Sequence, residues 1–280
     1  MASDRSQSNR NSLLELDRMG QSIWYDCIDR YLIRNGGLRY LIDYEAVKGI
    51  TTNPSILHKA ITISRDYDAE LAALAGWECV PAEAVYKQLL LQDISQAADL
   101  LEPVYGETQG RDGYVWLEVT PHLTHDITGT IKEARRLWRS IGRQNLMIKV
   151  PATNAGIAAI ETLTCDGINV NATLLFSLDK YNQVVDAYLR GLEYRMANNR
   201  AVDSVASVAS IFLLRLILPW ITSSTSGWLV RKIEPSKIGL LSCGAGWQLL
   251  TPNLFMMIIR PISRVGAGRL LNVRELRRNA

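Results

Sequence analysis

Lys149 lies in NLMIKVPAT, residues 145–153, where a charged side chain interrupts an apolar run that reads as a buried strand. An ammonium group there is costly unless it is paired or gives up its charge. A lysine desolvated in such a place becomes a free amine. A free amine attacks a carbonyl carbon and forms a Schiff base. Glu118, on the preceding strand candidate, could shuttle the protons that dehydrate the carbinolamine, and Asp26 offers a second acid/base for breaking a carbon–carbon bond. The competing reading is a half-buried strand lysine balanced by Glu118. Spacing alone leaves both open.

Such groups need a scaffold that brings distant segments together. Six short apolar or β-branched runs read as strands: 21–28, 47–53, 114–120, 145–151, 167–176 and 203–212. Helical stretches are predicted at 80–102, 126–141, 155–164 and 178–197, the last with Tyr181, Val184, Val185, Tyr188 and Leu192 at helical spacing. Strands alternating with helices imply a parallel sheet in an α/β fold. No GxGxxG follows the first strand, so six βα units favour a (β/α)8 TIM-type barrel over a dinucleotide fold.

Each strand ends in polar residues: Asp26; Thr51, Thr52 and Asn53; Glu118; Lys149; Asn169, Asn171 and Thr173; Ser207 and Ser210. In a barrel these ends share one face, where active sites form. Asn169, Asn171 and Thr173 alternate along their strand and therefore point the same way.

The 280 residues, 48% of them hydrophobic, suffice for one barrel-sized core. A net charge of +3 argues neither for nor against a nucleic-acid partner. Cys27, Cys79, Cys165 and Cys243 form no close pair, which fits a reducing, cytoplasmic compartment. The polar N-terminus, MASDRSQSNRNS, reads as a frayed end rather than a signal peptide. The longest apolar run, 211–221, contains Arg215 and Pro219 and is too short to span a bilayer.

The sequence resembles transaldolase, of the longer plant and cyanobacterial type, in GITTNPSIL (49–57), DGYVWLEVTP (112–121), NLMIKVPAT, GINVNATLLFS (167–177) and SVASVASIF (204–212). The likeness covers about residues 12–215. It implies a class I Schiff-base enzyme of the pentose phosphate pathway, without metal or cofactor. Such enzymes move a dihydroxyacetone unit between phosphosugars: sedoheptulose 7-phosphate and glyceraldehyde 3-phosphate give erythrose 4-phosphate and fructose 6-phosphate. The resemblance makes Lys149 the Schiff-base lysine. Glu118 and Thr173 hold the water of dehydration and hydrolysis, and Asp26 takes the proton of the C4 hydroxyl. Thr51, Asn53 and Asn171 contact the substrate, with the two asparagines on the hydroxyls of the three-carbon enamine. Ser210 and Arg215 match the phosphate grip, where a forked guanidinium suits the oxygens. The expected partners are phosphosugars, with neither nucleic acid nor membrane; the oligomeric state is left open. The alternatives are a fructose 6-phosphate aldolase, an inactive truncated remnant, or an interaction module with a basic tail.

Other residues invite plainer readings. His122 and His125 suit a surface loop better than a metal site. Cys165 reads as buried, Asp29 and Asp166 as caps or surface charges, and Trp24 and Trp116 as packing.

The resemblance breaks after Arg215. Residues 216–280 carry nine Lys or Arg against Glu234 and Glu275, a net +7, which leaves −4 on residues 1–215. A back-translation of RLILPWITSSTSG with one base restored at the Arg215 codon reads R-IDTAVDNLLDEW, an acid-rich amphipathic helix of the missing kind. The expected division is therefore a six-strand barrel portion, 1–215, and an out-of-frame, poorly ordered tail, 216–280. An eight-stranded barrel has no edges, whereas six strands leave two.

Overall fold

The computed structural model describes residues 11–52, 61–62, 64–75 and 81–212, and the backbone of two short strands beyond them. In chain order the elements are α1 (Ser12–Arg18), β1 (Ser22–Tyr25), α2 (Arg30–Arg34), α3 (Gly37–Tyr44), β2 (Val47–Ile50), a 3₁₀ turn (Arg65–Tyr67) and α4 (Asp68–Ala75). Then come α5 (Ala82–Glu107), β3 (Tyr114–Glu118), a second 3₁₀ turn (Pro121–Leu123), α6 (Ile127–Ile141), β4 (Leu146–Pro151), α7 (Asn154–Asp166), β5 (Val170–Leu175), α8 (Leu178–Ala197) and β6 (Ser207–Phe212). The short strands are β7 (Gln248–Leu249) and β8 (Met256–Ile259).

The sheet order is β7-β1-β2-β3-β4-β5-β6-β8. From β1 to β6 every neighbouring pair is parallel and sequential, the pattern of repeated βα units. β7 adds parallel to β1, but β8 runs antiparallel to β6. A strand reached by a helical crossover cannot take that direction, so the fold is an incomplete TIM-like α/β barrel. The two edges expected to be bare each carry a backbone partner.

Side chains alternate between two cores. One face of the strands, with Val115, Leu117, Leu146, Ile148, Val150, Val170 and Ala172, packs against Ile94, Leu101, Leu137, Ile141, Ile160, Leu163 and Val184 of the helices. The other face builds the barrel interior from Trp24, Tyr114, Trp116, Met147, Ala206 and Val208. Trp24 and Trp116 stack at 4.4 Å and are both buried, so the packing reading holds. Gly49 makes that stack possible: a Cβ there would lie 2.3 Å from the Trp24 ring.

The helix starts are chemically marked. Asp126, Thr153 and Ser177 cap α6, α7 and α8 by accepting from Gly129, Gly156 and Lys180 backbone N–H groups. Thr153 also donates to the Thr124 carbonyl at 2.7 Å, tying the loop after β4 to the loop after β3. The predicted helices at 126–141, 155–164 and 178–197 match α6, α7 and α8 closely, and α5 runs on to Glu107 through Pro103. The frayed-end reading needs one correction: Asn11 caps α1, which starts at Ser12. Among the described residues no helix is long and apolar enough to cross a membrane.

Candidate active site

Directly above the tryptophan layer, the interior face turns polar. Strand pairing aligns Trp116 with Met147 and, one pleat on, Glu118 with Lys149. The next strand aligns Asn171 with Lys149. Lys149 therefore shares the inward face of Met147, with a carboxylate on one side and an amide on the other. The Lys149 Nζ lies 3.4 Å from Glu118 Oε2, with the two side chains 12% and 18% exposed. The pair rests on the apolar tryptophan layer, and a small side-chain turn or one bridging water closes the gap that proton transfer needs.

Asn171 and Thr173 are fully buried on β5. Ser210 donates from Oγ to Asn171 Oδ1 at 2.8 Å, which fixes the amide. The Asn171 Nδ2 and the Thr173 Oγ1 have no hydrogen-bond partner among the described residues. Buried polar atoms without a partner are rare in folded proteins and mark places where a ligand or water supplies the missing bond. On the other flank Asp26 follows β1, half-buried, and accepts a hydrogen bond from the Thr51 hydroxyl.

The structure thus brings Lys149, Glu118 and Asn171 together along adjacent strands, with Thr173 and Ser210 on the same inward faces. Asp26 and Thr51 form a second pair at the ends of β1 and β2. Asn53 and Arg215 lie outside the described residues. Asn169, expected to join the polar face, is a strut instead. Its amide donates to the Gln144 and Leu146 carbonyls and accepts from Ala206 N–H, so both donors are spent and its oxygen is engaged by the backbone. Ser207 opens β6 rather than ending it, and shares the parity of Ala209, which packs in the helix layer.

The plainer readings largely hold. His122 and His125 are exposed. Asp29 caps α2 through the Tyr31 N–H, and Asp166 pairs with Arg135. Cys165 is half-buried rather than buried. Among the described residues no group of three His, Cys, Asp or Glu side chains is placed to hold a metal.

One feature had no signal in the sequence. Leu174, next to Thr173, has φ +60°, and the pairing of β5 with β6 slips between Ala172 and Leu175. A leucine in that region costs on the order of 1 kcal/mol and is held there only by its surroundings. The irregularity lies at the end of the strand that carries Asn171 and Thr173. Gly156 is a second such point: a Cβ would lie 1.8 Å from the Pro151 carbonyl oxygen, so the first turn of α7 presses on the end of the lysine strand.

A family model described as Transaldolase/Fructose-6-phosphate aldolase matches residues 23–228. This chain belongs to that family. A transaldolase 2 from a Nostoc species is 46% identical over 208 residues, covering 74% of this chain and 54% of the relative. The transaldolase of Thiobacillus denitrificans is 46% identical over 206 residues, 74% of this chain and 57% of its own length. That of Mycobacterium tuberculosis is 40% identical over 205 residues, 73% and 55% respectively. The chain spans about half the length of the curated relatives it matches. The resemblance to transaldolase carried by the motifs is borne out.

Proposed function

We propose that this chain is a Schiff-base transaldolase whose nucleophile is Lys149. The observation that carries the reading is the Lys149–Glu118 pair at 3.4 Å beside two buried polar atoms that have no hydrogen-bond partner among the described residues, Asn171 Nδ2 and Thr173 Oγ1. A merely structural lysine needs only the carboxylate. Two further buried groups awaiting a bond are what a polyhydroxylated substrate and a working water require.

In this reading the Lys149 amine adds to the C2 carbonyl of fructose 6-phosphate. Glu118, with Thr173 holding the water, returns the proton that lets the carbinolamine hydroxyl leave as water. Asp26 removes the C4 hydroxyl proton, the C3–C4 bond breaks, and its electrons flow into the iminium to give the enamine. Glyceraldehyde 3-phosphate leaves. Asn171, with Asn53, holds the enamine hydroxyls until an acceptor aldehyde arrives, and hydrolysis frees Lys149. Ser210 and Arg215 belong to the phosphate end. A cytoplasmic location goes with this reading.

The test is transfer from fructose 6-phosphate to erythrose 4-phosphate, with the Lys149→Met variant alongside. Sedoheptulose 7-phosphate formed by the parent chain and absent from the variant is the expected result. Equal transfer by both sinks the assignment of Lys149, and free dihydroxyacetone with no transfer makes the chain an aldolase.

We also infer that residues 216–280 are read out of frame. The excess of cationic residues in this segment, the one-base repair and the antiparallel β8 support the division at 215, although the family match runs on to residue 228. Coding DNA with no one-base repair near codon 215 rules this out.

A further inference from the structure

Four residues beyond Asp26, a guanidinium is buried where no proton transfer needs it. Arg30, the first residue of α2, is 0% exposed. Its Nε donates to Asp93 Oδ1 at 2.7 Å, and its Nη2 reaches the Leu89 carbonyl and Gln92 Oε1, both at 3.3 Å. Its Nη1 lies 3.3 Å from Glu70 Oε1. The plane rests over the Tyr67 ring at 4.3 Å, and the Tyr67 hydroxyl donates to the other Asp93 oxygen at 2.9 Å. The turn after β1 is thereby joined to α4, to the 3₁₀ turn before it and to the middle of α5.

Burying two charges costs much of what their attraction returns, so an apolar pair of similar volume would hold these elements together about as well. What an apolar pair cannot supply is direction: a planar fork with fixed donors sets angle as well as distance. The segment it directs is short. Ile28 is buried, Asp29 caps α2, and Asp26 stands at the far end with Thr51 on its carboxylate. We propose that Arg30 is a positioning residue for Asp26, fixing the β1–α2 turn through Asp93 so that the carboxylate meets the C4 hydroxyl. This rests on the reading of Asp26 given above.

The test compares the parent chain with Arg30→Lys and with the paired change Arg30→Met/Asp93→Leu, which removes both buried charges at once. Two readouts are taken. The first is single-turnover release of glyceraldehyde 3-phosphate from fructose 6-phosphate, beside borohydride trapping of the Lys149 adduct. The second is the alkylation rate of Cys27, inside the turn, against that of Cys165, outside it. Expected in both variants is cleavage lowered by roughly 10- to 100-fold, trapping within about two-fold, and faster alkylation of Cys27 with Cys165 unchanged. Cleavage and Cys27 rates that stay at parent values overturn the proposal. So does a joint rise at Cys27 and Cys165, which signals general loosening. A parent chain that traps no substrate overturns the Lys149 reading instead. Where the parent cleaves nothing, the cysteine comparison alone decides the anchoring.

Discussion

At the scale of single residues, an ion pair such as Lys149–Glu118 has two explanations, and its neighbours separate them. A balanced strand lysine predicts no further demand for hydrogen bonds, whereas the barrel mouth holds an amide nitrogen and a hydroxyl with no partner among the described residues. Replacing Glu118 with Gln keeps the shape and removes the proton shuttle, so turnover should fall by about 10²- to 10⁴-fold while some Lys149 adduct still forms; steady-state rates and trapping measured on the same preparation check this. Cys27 gives a pH prediction. Burial first, then the charges of Asp29 and Asp26, push its thiol up to about 11. The shift is upward, so the fold favours the neutral thiol. Any stability this contributes is complete below the ordinary thiol range and is lost as pH climbs toward 11. Alkylation of Cys27 should be slow at pH 8 and rise steeply only above the ordinary thiol range, read by mass mapping across pH. Lys149, Glu118 and Asp26 were legible in the sequence because charged groups at strand ends stand out against apolar runs. Arg30 was not, because burial of an arginine is decided by segments 37 to 63 residues away that no local pattern names.

At the scale of elements, the pattern of caps and periodicity carried most of the fold. The long helices α6, α7 and α8 pair a cap with an apolar stripe, and both signals survive in the sequence. The short helices α1 to α4 have one or two turns each and no room for a period. Their formation depends on tertiary packing rather than on propensity. Two glycine changes test how the elements pack. Gly49→Ala would drive a methyl into the Trp24 ring and should cost about 1–3 kcal/mol in urea unfolding. Gly106→Ala, inside α5 with nothing within 4 Å of the new Cβ, should instead raise stability by about 0.5–1 kcal/mol. Equal effects at the two positions would mean that the tryptophan stack is not tightly packed. The bulge at Leu174 escaped sequence reading because a leucine with positive φ has no compositional mark.

At the scale of the molecule, parallel order from β1 to β6 followed from alternating strands and helices, but the edges did not. β7 and β8 come from the part of the chain whose composition departs from the rest, and β8 pairs in the direction a barrel does not use. If residues 216–280 are out of frame, restoring one base at the Arg215 codon should give a chain that melts several degrees higher and transfers faster, measured by calorimetry and by the transfer assay; an unchanged melting curve would count against it. The chemistry, however, turns on one nitrogen. The most direct measurement is borohydride reduction in the presence of fructose 6-phosphate, followed by peptide mapping. The predicted result is one reduced three-carbon adduct on the peptide containing Lys149, absent without sugar. An adduct on another lysine, or none on the folded parent chain, would contradict it.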